Sequence, residues 1–222
     1  MEDQVIIKHR QDGTVCKNYY NKNGVYHRED GPAYILYHDN GTTALKEYYI
    51  NGEKHREDGP ACISYYRNGN IKSEKYYIHG ECNRDNEPAY ITYYSNGNIK
   101  SKEYIINGET HREDGPAYIT YYYDGGIKYE GYYINNLIHR ENGPAYIYYQ
   151  NNYIKIREYW LNNKDFTTFY NKLKNNLTKE IIDTQDDIKP LLIMKLICNE
   201  NNNMDLLELV DNKIIELKLL GK

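Results

Sequence analysis

The chain has 222 residues, with 28 Lys and Arg against 32 Asp and Glu, and a net charge of −4 at pH 7. Residues 1–164 carry 20 basic and 22 acidic side chains, and residues 165–222 carry 8 and 10. With no basic half, a nucleic-acid binder or a polybasic membrane anchor is disfavoured, because both need concentrated positive charge.

The opening MEDQVIIKHR is acidic and lacks a long apolar core, so it does not read as a signal peptide. From VIIKHRQDG onward a repeat takes over. HREDGPA opens at His27, His55 and His111, HRENGPA opens at His139, and a divergent copy, NRDNEPA, opens at Asn83, always in a 28-residue phase. Gly13, Gly41, Gly69, Gly97 and Gly125 share one column, and Pro32, Pro60, Pro88, Pro116 and Pro144 another. A catalytic motif is needed once, so a fixed period points to architecture instead.

Between the punctuation lie AYILYH, ACISYY, AYITYY, AYITYY and AYIYYQ, then IKSEKYYI, IKSKEYII and IKYEGYYI. Their length and Tyr/Ile/Thr content predict strands. Asn-Gly at 23–24, 51–52, 68–69, 96–97 and 107–108 is read as the positive-φ pair of tight hairpin turns. Each repeat is then two antiparallel strands, joined at the xNG site and again through NGExHREDGP. Alternation puts Ala89, Ile91 and Tyr93 on a packed face and Tyr90, Thr92 and Tyr94 on a wetter one. The expected fold is mainly β: an elongated single antiparallel sheet of about twelve strands, a meander of repeated hairpins over residues 1–164, with an α-helical tail over 165–222.

In the tail the Leu/Ile spacing becomes helical. Asp165 is the expected N-cap of a helix through DFTTFYNKLKNNL. Asp205 with Glu208 forms a capping-box variant ahead of a stripe of Leu206, Val210, Ile214 and Leu217, with a hairpin turning at Asp211-Asn212 as the alternative. The tail is expected to cover the last strand's open edge. PLLIMKLIC at 190–198 is too short to span a bilayer. Cys16, Cys62, Cys82 and Cys198 show no C-x-x-C spacing, which predicts reduced thiols in a cytosol-like intracellular compartment and neither disulfides nor zinc.

YYSNGNIKSKEYIINGETHREDGPA, at 93–117, resembles the MORN (membrane occupation and recognition nexus) repeat. It is most similar to the longer variant of antitoxin-like bacterial proteins and uncharacterised proteins of giant DNA viruses, whose host-cell cytoplasm would then be its location. The likeness covers roughly residues 5–164 and departs from the standard unit at Arg56 and its counterparts, where that unit carries glycine. It implies an elongated antiparallel sheet for scaffolding, dimerisation or partner binding, sometimes lipid binding, and it implies no catalytic residues.

Equivalent residues of successive repeats stand two strands apart, about 9–10 Å. His27, His55, His111 and His139 therefore cannot share one zinc ion in a regular sheet. A site within one loop, such as His55 with Glu57 or Asp58, is the hydrolase reading. The structural reading makes His27, Arg28, His55, Arg56, Arg84, His111, Arg112, His139 and Arg140 loop locks, the guanidinium donors capping turn carbonyls or pairing with carboxylates. Lys72, Lys100 and Lys128 form a row able to meet anions, lipid headgroups included. Lys46, Glu74, Lys102 and Glu130 alternate in sign and read as a solvated face. Tyr66, Tyr94 and Tyr122, with Tyr90, Tyr118 and Tyr146, are the candidate contact surface for a protein partner or a second copy, because tyrosine is enriched at interfaces. The expectation is a non-enzymatic protein-binding scaffold without cofactor or metal.

Overall fold

The computed structural model describes residues 4–221. Its main sheet has twelve antiparallel strands in sequence order and is open. They are β1 (Gln4–His9), β2 (Val15–Tyr20), β3 (Tyr34–Tyr37), β4 (Thr43–Glu47), β5 (Cys62–Tyr65), β6 (Ile71–Lys75), β7 (Tyr90–Tyr93), β8 (Ile99–Glu103), β9 (Tyr118–Tyr121), β10 (Ile127–Gly131), β11 (Tyr146–Gln150) and β12 (Tyr153–Glu158). The chain divides into two compact units, Met1–Lys128 and Tyr129–Lys222.

In the first unit, each odd strand turns into the next even strand through an xNG loop or its Asp-Gly counterpart. Gly69 alone takes positive φ there, at 89°. The Gly69 amide donates to the Tyr66 carbonyl at 2.9 Å, Asn68 accepts from the Asn70 amide at 3.0 Å, and the register shifts at Ser64/Tyr65. This is a glycine-bulge turn, not the two-residue turn expected from Asn-Gly. The positive-φ pair does occur at Asn51-Gly52 and Asn107-Gly108, within a second kind of hairpin. There the expected long strand IKSEKYYI breaks: β6 ends at Lys75, and Tyr77–Ile78 pairs with Glu81–Cys82 in a separate short hairpin. Tyr76 is the bend. Its amide donates to the Ala89 carbonyl at 2.9 Å, and its own carbonyl accepts from Asn83 at 3.2 Å.

The packed face matches the alternation read from sequence. Ala33, Ala61, Ala89 and Ala117 are fully buried, and Ile35, Ile63 and Ile119 nearly so. Register sets Ile63 between Lys46 and Glu74, and Ile91 between Glu74 and Lys102. The charged column is therefore not a solvated face. Its aliphatic stems cover the isoleucines, and its heads meet tyrosines: Lys46 and Lys102 lie 5.7 and 5.8 Å from the Tyr65 and Tyr121 ring centres. Tyr93 donates to Glu74 at 2.6 Å. From Lys46 to Lys102 the sign of the charge alternates, a lysine taking the ring and a glutamate the hydroxyl.

The other face is roofed by the short hairpins. Lys54 pairs with Glu47 at 2.7 Å, Tyr49 donates to Glu47 at 3.2 Å, and Thr110 donates to Glu103 at 2.9 Å. Burial, with Glu47 beside it, pushes the Tyr49 hydroxyl up to about 12. In the second unit, the Tyr133 and Tyr146 hydroxyls meet at 2.8 Å and the Trp160 ring lies 6.0 Å from that of Tyr146. On its packed face Ile147 lies between Glu130 and Arg157, and Tyr149 donates to Glu130 at 2.7 Å.

The tail holds four helices: α1 (Thr167–Leu173), α2 (Lys179–Asp183), α3 (Ile188–Glu200) and α4 (Met204–Leu219). Asp165 is not an N-cap: it lies in the short hairpin formed by Trp160–Leu161 and Lys164–Asp165, and accepts from the Thr167 amide at 2.7 Å. Asn203, not Asp205, caps α4 by accepting from Leu206 at 3.1 Å. The helix runs through Asp211-Asn212, which disposes of the hairpin alternative, and Val210, Ile214 and Leu217 are buried. The tail core closes on Tyr159 and Leu161 rather than on β12, where Tyr153–Arg157 stay exposed. No helix among the described residues is long and apolar enough to cross a membrane.

Candidate functional site

The HREDGPA corner resolves letter by letter. Histidine ties one repeat to the next. Nδ1 of His27 accepts from the Asn51 amide at 3.0 Å, that of His55 from His79 at 3.2 Å, and that of His139 from Asn162 at 3.3 Å. Arginine lies over a tyrosine ring: Arg28 over Tyr19, Arg56 over Tyr48, Arg84 over Tyr76, Arg112 over Tyr104 and Arg140 over Tyr132, with 3.8–4.2 Å from guanidinium carbon to ring centre. Arg56, Arg84, Arg112 and Arg140 also donate to the carbonyls of Pro60, Pro88, Pro116 and Pro144 at 3.1–3.5 Å. Aspartate holds the arginine's Nε, at 2.6 Å in Arg28–Asp30 and 2.8 Å in Arg56–Asp58. These arginines hold the carboxyls of Asp30, Asp58 and Asp114 below the usual range.

Glycine here gives the arginine room, and no positive φ calls for it. A Cβ at Gly31, Gly59, Gly115 or Gly143 would stand 3.0–3.1 Å from the guanidinium carbon. Alanine then begins the buried strand end. The glutamate is the exposed member: Glu57 is 86% exposed, its carboxylate 3.8 Å from His55 Nε2.

The divergent corner keeps the same functions with other atoms. Asn83 Oδ1 accepts from the Asn107 amide at 3.4 Å, replacing histidine. Glu87, in the glycine position, pairs with Arg84, so its carboxylate takes over from the missing aspartate. The last repeat has no following corner, and α1 imitates one. The Thr167 hydroxyl oxygen accepts from the Tyr159 amide at 2.9 Å, where Tyr48 uses the Ala61 carbonyl. The Tyr170 ring stacks on Tyr159 at 3.8 Å, where Tyr48 carries Arg56. The phase of Tyr48, Tyr76, Tyr104, Tyr132 and Tyr159 was the sequence signal for this column.

The tyrosines expected to meet a partner fall into two groups. Tyr90, Tyr118 and Tyr146 sit half-buried, with Lys75 over the Tyr90 ring at 4.2 Å and the Tyr133 hydroxyl on Tyr146. Tyr66, Tyr94 and Tyr122, in the first unit, begin the xNG loops and are also half-buried. The Tyr66 hydroxyl donates to the Tyr93 carbonyl and the Tyr94 hydroxyl to the Tyr121 carbonyl, each at 2.8 Å. Lys72, Lys100 and Lys128 lie over these three rings at 5.8–6.0 Å. Two sequence candidates that looked separate, the tyrosines and the lysine row, are therefore one ladder.

Among the described residues no group of three or more His, Cys, Asp or Glu side chains is placed to hold a metal ion. All four cysteines are free thiols, with Cys16 and Cys198 buried. In the second unit a cleft of about 740 Å³ is lined by Leu192, Ile214 and Lys218 among others, and its Lys195 and Asp211 pair with each other at 2.7 Å. No family model matches the chain, and no curated protein matches it.

Proposed function

We propose that this chain is a MORN-like, non-enzymatic repeat scaffold that binds another protein through the tyrosine–lysine ladder of its first unit. The observation that carries this reading is the anchoring of the rings. Tyr66 and Tyr94 are fixed by hydroxyl bonds to the next repeat, so little side-chain freedom remains to be lost on docking. Lysine over each ring adds a cation at every step, which fits a partner segment carrying acidic side chains between apolar ones. The corner motif supports the same reading: its His, Arg and Asp are engaged in holding repeats together.

The test is capture from cell lysate by wild type and by a Lys72→Glu/Lys100→Glu/Lys128→Glu variant whose fold is checked by circular dichroism. A protein held by wild type and lost from the variant is the expected result. Identical captured sets would remove the ladder as the binding surface. Sedimentation of wild type with anionic vesicles, weakening with salt, would instead assign the ladder to lipid.

A further inference from the structure

The sheet's two outer strands, β1 and β12, are six residues long and exposed. On them Val5, Ile7, Ile154 and Ile156 are 57, 52, 44 and 49% exposed. Neither edge carries a proline, and both mix exposed apolar side chains with charged ones, Lys8 on β1 and Lys155, Arg157 and Glu158 on β12. The repeat phase says what each edge is built to receive. β12 is an even strand, like β4, β6, β8 and β10. β1 is an odd strand, because it enters the Asp12-Gly13 turn as β3 enters Asn40-Gly41.

Within the chain, junctions from an even to an odd strand follow one rule. A charged residue faces an isoleucine: Lys17 faces Ile35, Lys46 faces Ile63, Glu74 faces Ile91, Lys102 faces Ile119, and Glu130 faces Ile147. In β12 the residue in the charged position is Arg157, since it faces Ile147 as Glu74 faces Ile63. In β1 the residue in the isoleucine position is Ile7, since it faces Lys17 as Ile35 faces Lys46.

We propose that β12 of one molecule pairs with β1 of a second copy of this chain, Arg157 facing Ile7, Ile156 facing Lys8 and Glu158 facing Ile6, as a sixth junction of the internal kind. The joint ends at Glu158, because the Tyr159 amide is already taken by Thr167. Two β12 edges related by a two-fold axis normal to the sheet and centred on Lys155 or Ile156 would instead oppose Lys155 to itself or to Arg157, which like charge disfavours. A heterologous joint leaves a free β1 and a free β12 on every open assembly, so species above the dimer are expected.

The experiment is sedimentation velocity across a concentration series, with disulfide trapping. Wild type should form larger species as concentration rises, and Ile7→Lys, at an exposed position, should stay monomeric. Tagged Ile7→Cys mixed with untagged Arg157→Cys should give a cross-linked tagged–untagged pair under mild oxidation, above the baseline of wild type with its own four cysteines. A wild type that stays monomeric at its highest soluble concentration overturns the proposal. So does association unaffected by Ile7→Lys, or cross-linking as strong in either single variant alone as in the mixture.

Discussion

Replacing Arg112 with alanine removes three contacts at once, and their sizes differ. The guanidinium lies 4.1 Å from the Tyr104 ring centre, and a partly desolvated cation–π contact contributes about 1–2 kcal/mol. The bond to the Pro116 carbonyl is long, at 3.4 Å, and contributes about 1 kcal/mol. The Arg112–Asp114 pair adds little, because the aspartate stands in water. The loss should be about 2–3 kcal/mol, or about 4–12 °C in melting midpoint for a chain of this size. Thermal unfolding followed by far-ultraviolet circular dichroism would read it. Arg112→Lys should recover little, since an ammonium has no planar fork to stack and pair simultaneously. Glu113→Ala is the control: that side chain is 86% exposed and should leave the midpoint where it was. An Arg112→Ala midpoint equal to wild type would refute the corner as the lock between strands, whatever the glutamate control shows.

Two further outcomes follow from the same corner. His55→Ala strands the His79 amide and should cost about 1 kcal/mol, whereas His55→Asn should restore most of it, because Asn83 already does this work one repeat later; urea midpoints and exchange of the His79 amide would decide, and equal loss in both variants would count against the staple. The lowered carboxyls of Asp30, Asp58 and Asp114 give a pH dependence with a definite sign. In the native state they bind fewer protons than in the unfolded chain, so their stabilisation is present above the ordinary carboxylate range and is lost as pH falls through the lowered values. Asp58→Asn/Asp114→Asn should therefore flatten the acid limb of a plot of midpoint against pH below about pH 4, and an acid limb identical to wild type would exclude these pairs as its source.

The sequence by itself determined the period, the strand pairs and the alternation of faces. These depend on local properties: glycine and proline at fixed offsets, β-branched and aromatic runs between them, and a helical stripe from Leu206 to Leu217. It also marked His and Arg of the corner as structural. Their bonding partners lay beyond it. The break at Tyr76, which turns one predicted long strand into β6 plus a short hairpin, is imposed by the Ala89 carbonyl and the Asn83 amide, one reached only after the chain returns. The charged column read as solvated because its residues are charged; register alone places Lys46, Glu74 and Lys102 beside isoleucines and under tyrosines. The same limit applied to the tail. Asp165 and Asp205 have capping chemistry, yet Phe166 and Asn203 occupy the N-cap positions. The entry to α1 is set by Tyr159, whose amide and ring needed substitutes for the next repeat's alanine carbonyl and its own corner's arginine. Thr167 and Tyr170 supply them, and only three-dimensional neighbourhood makes a threonine and a tyrosine equivalent to that pair.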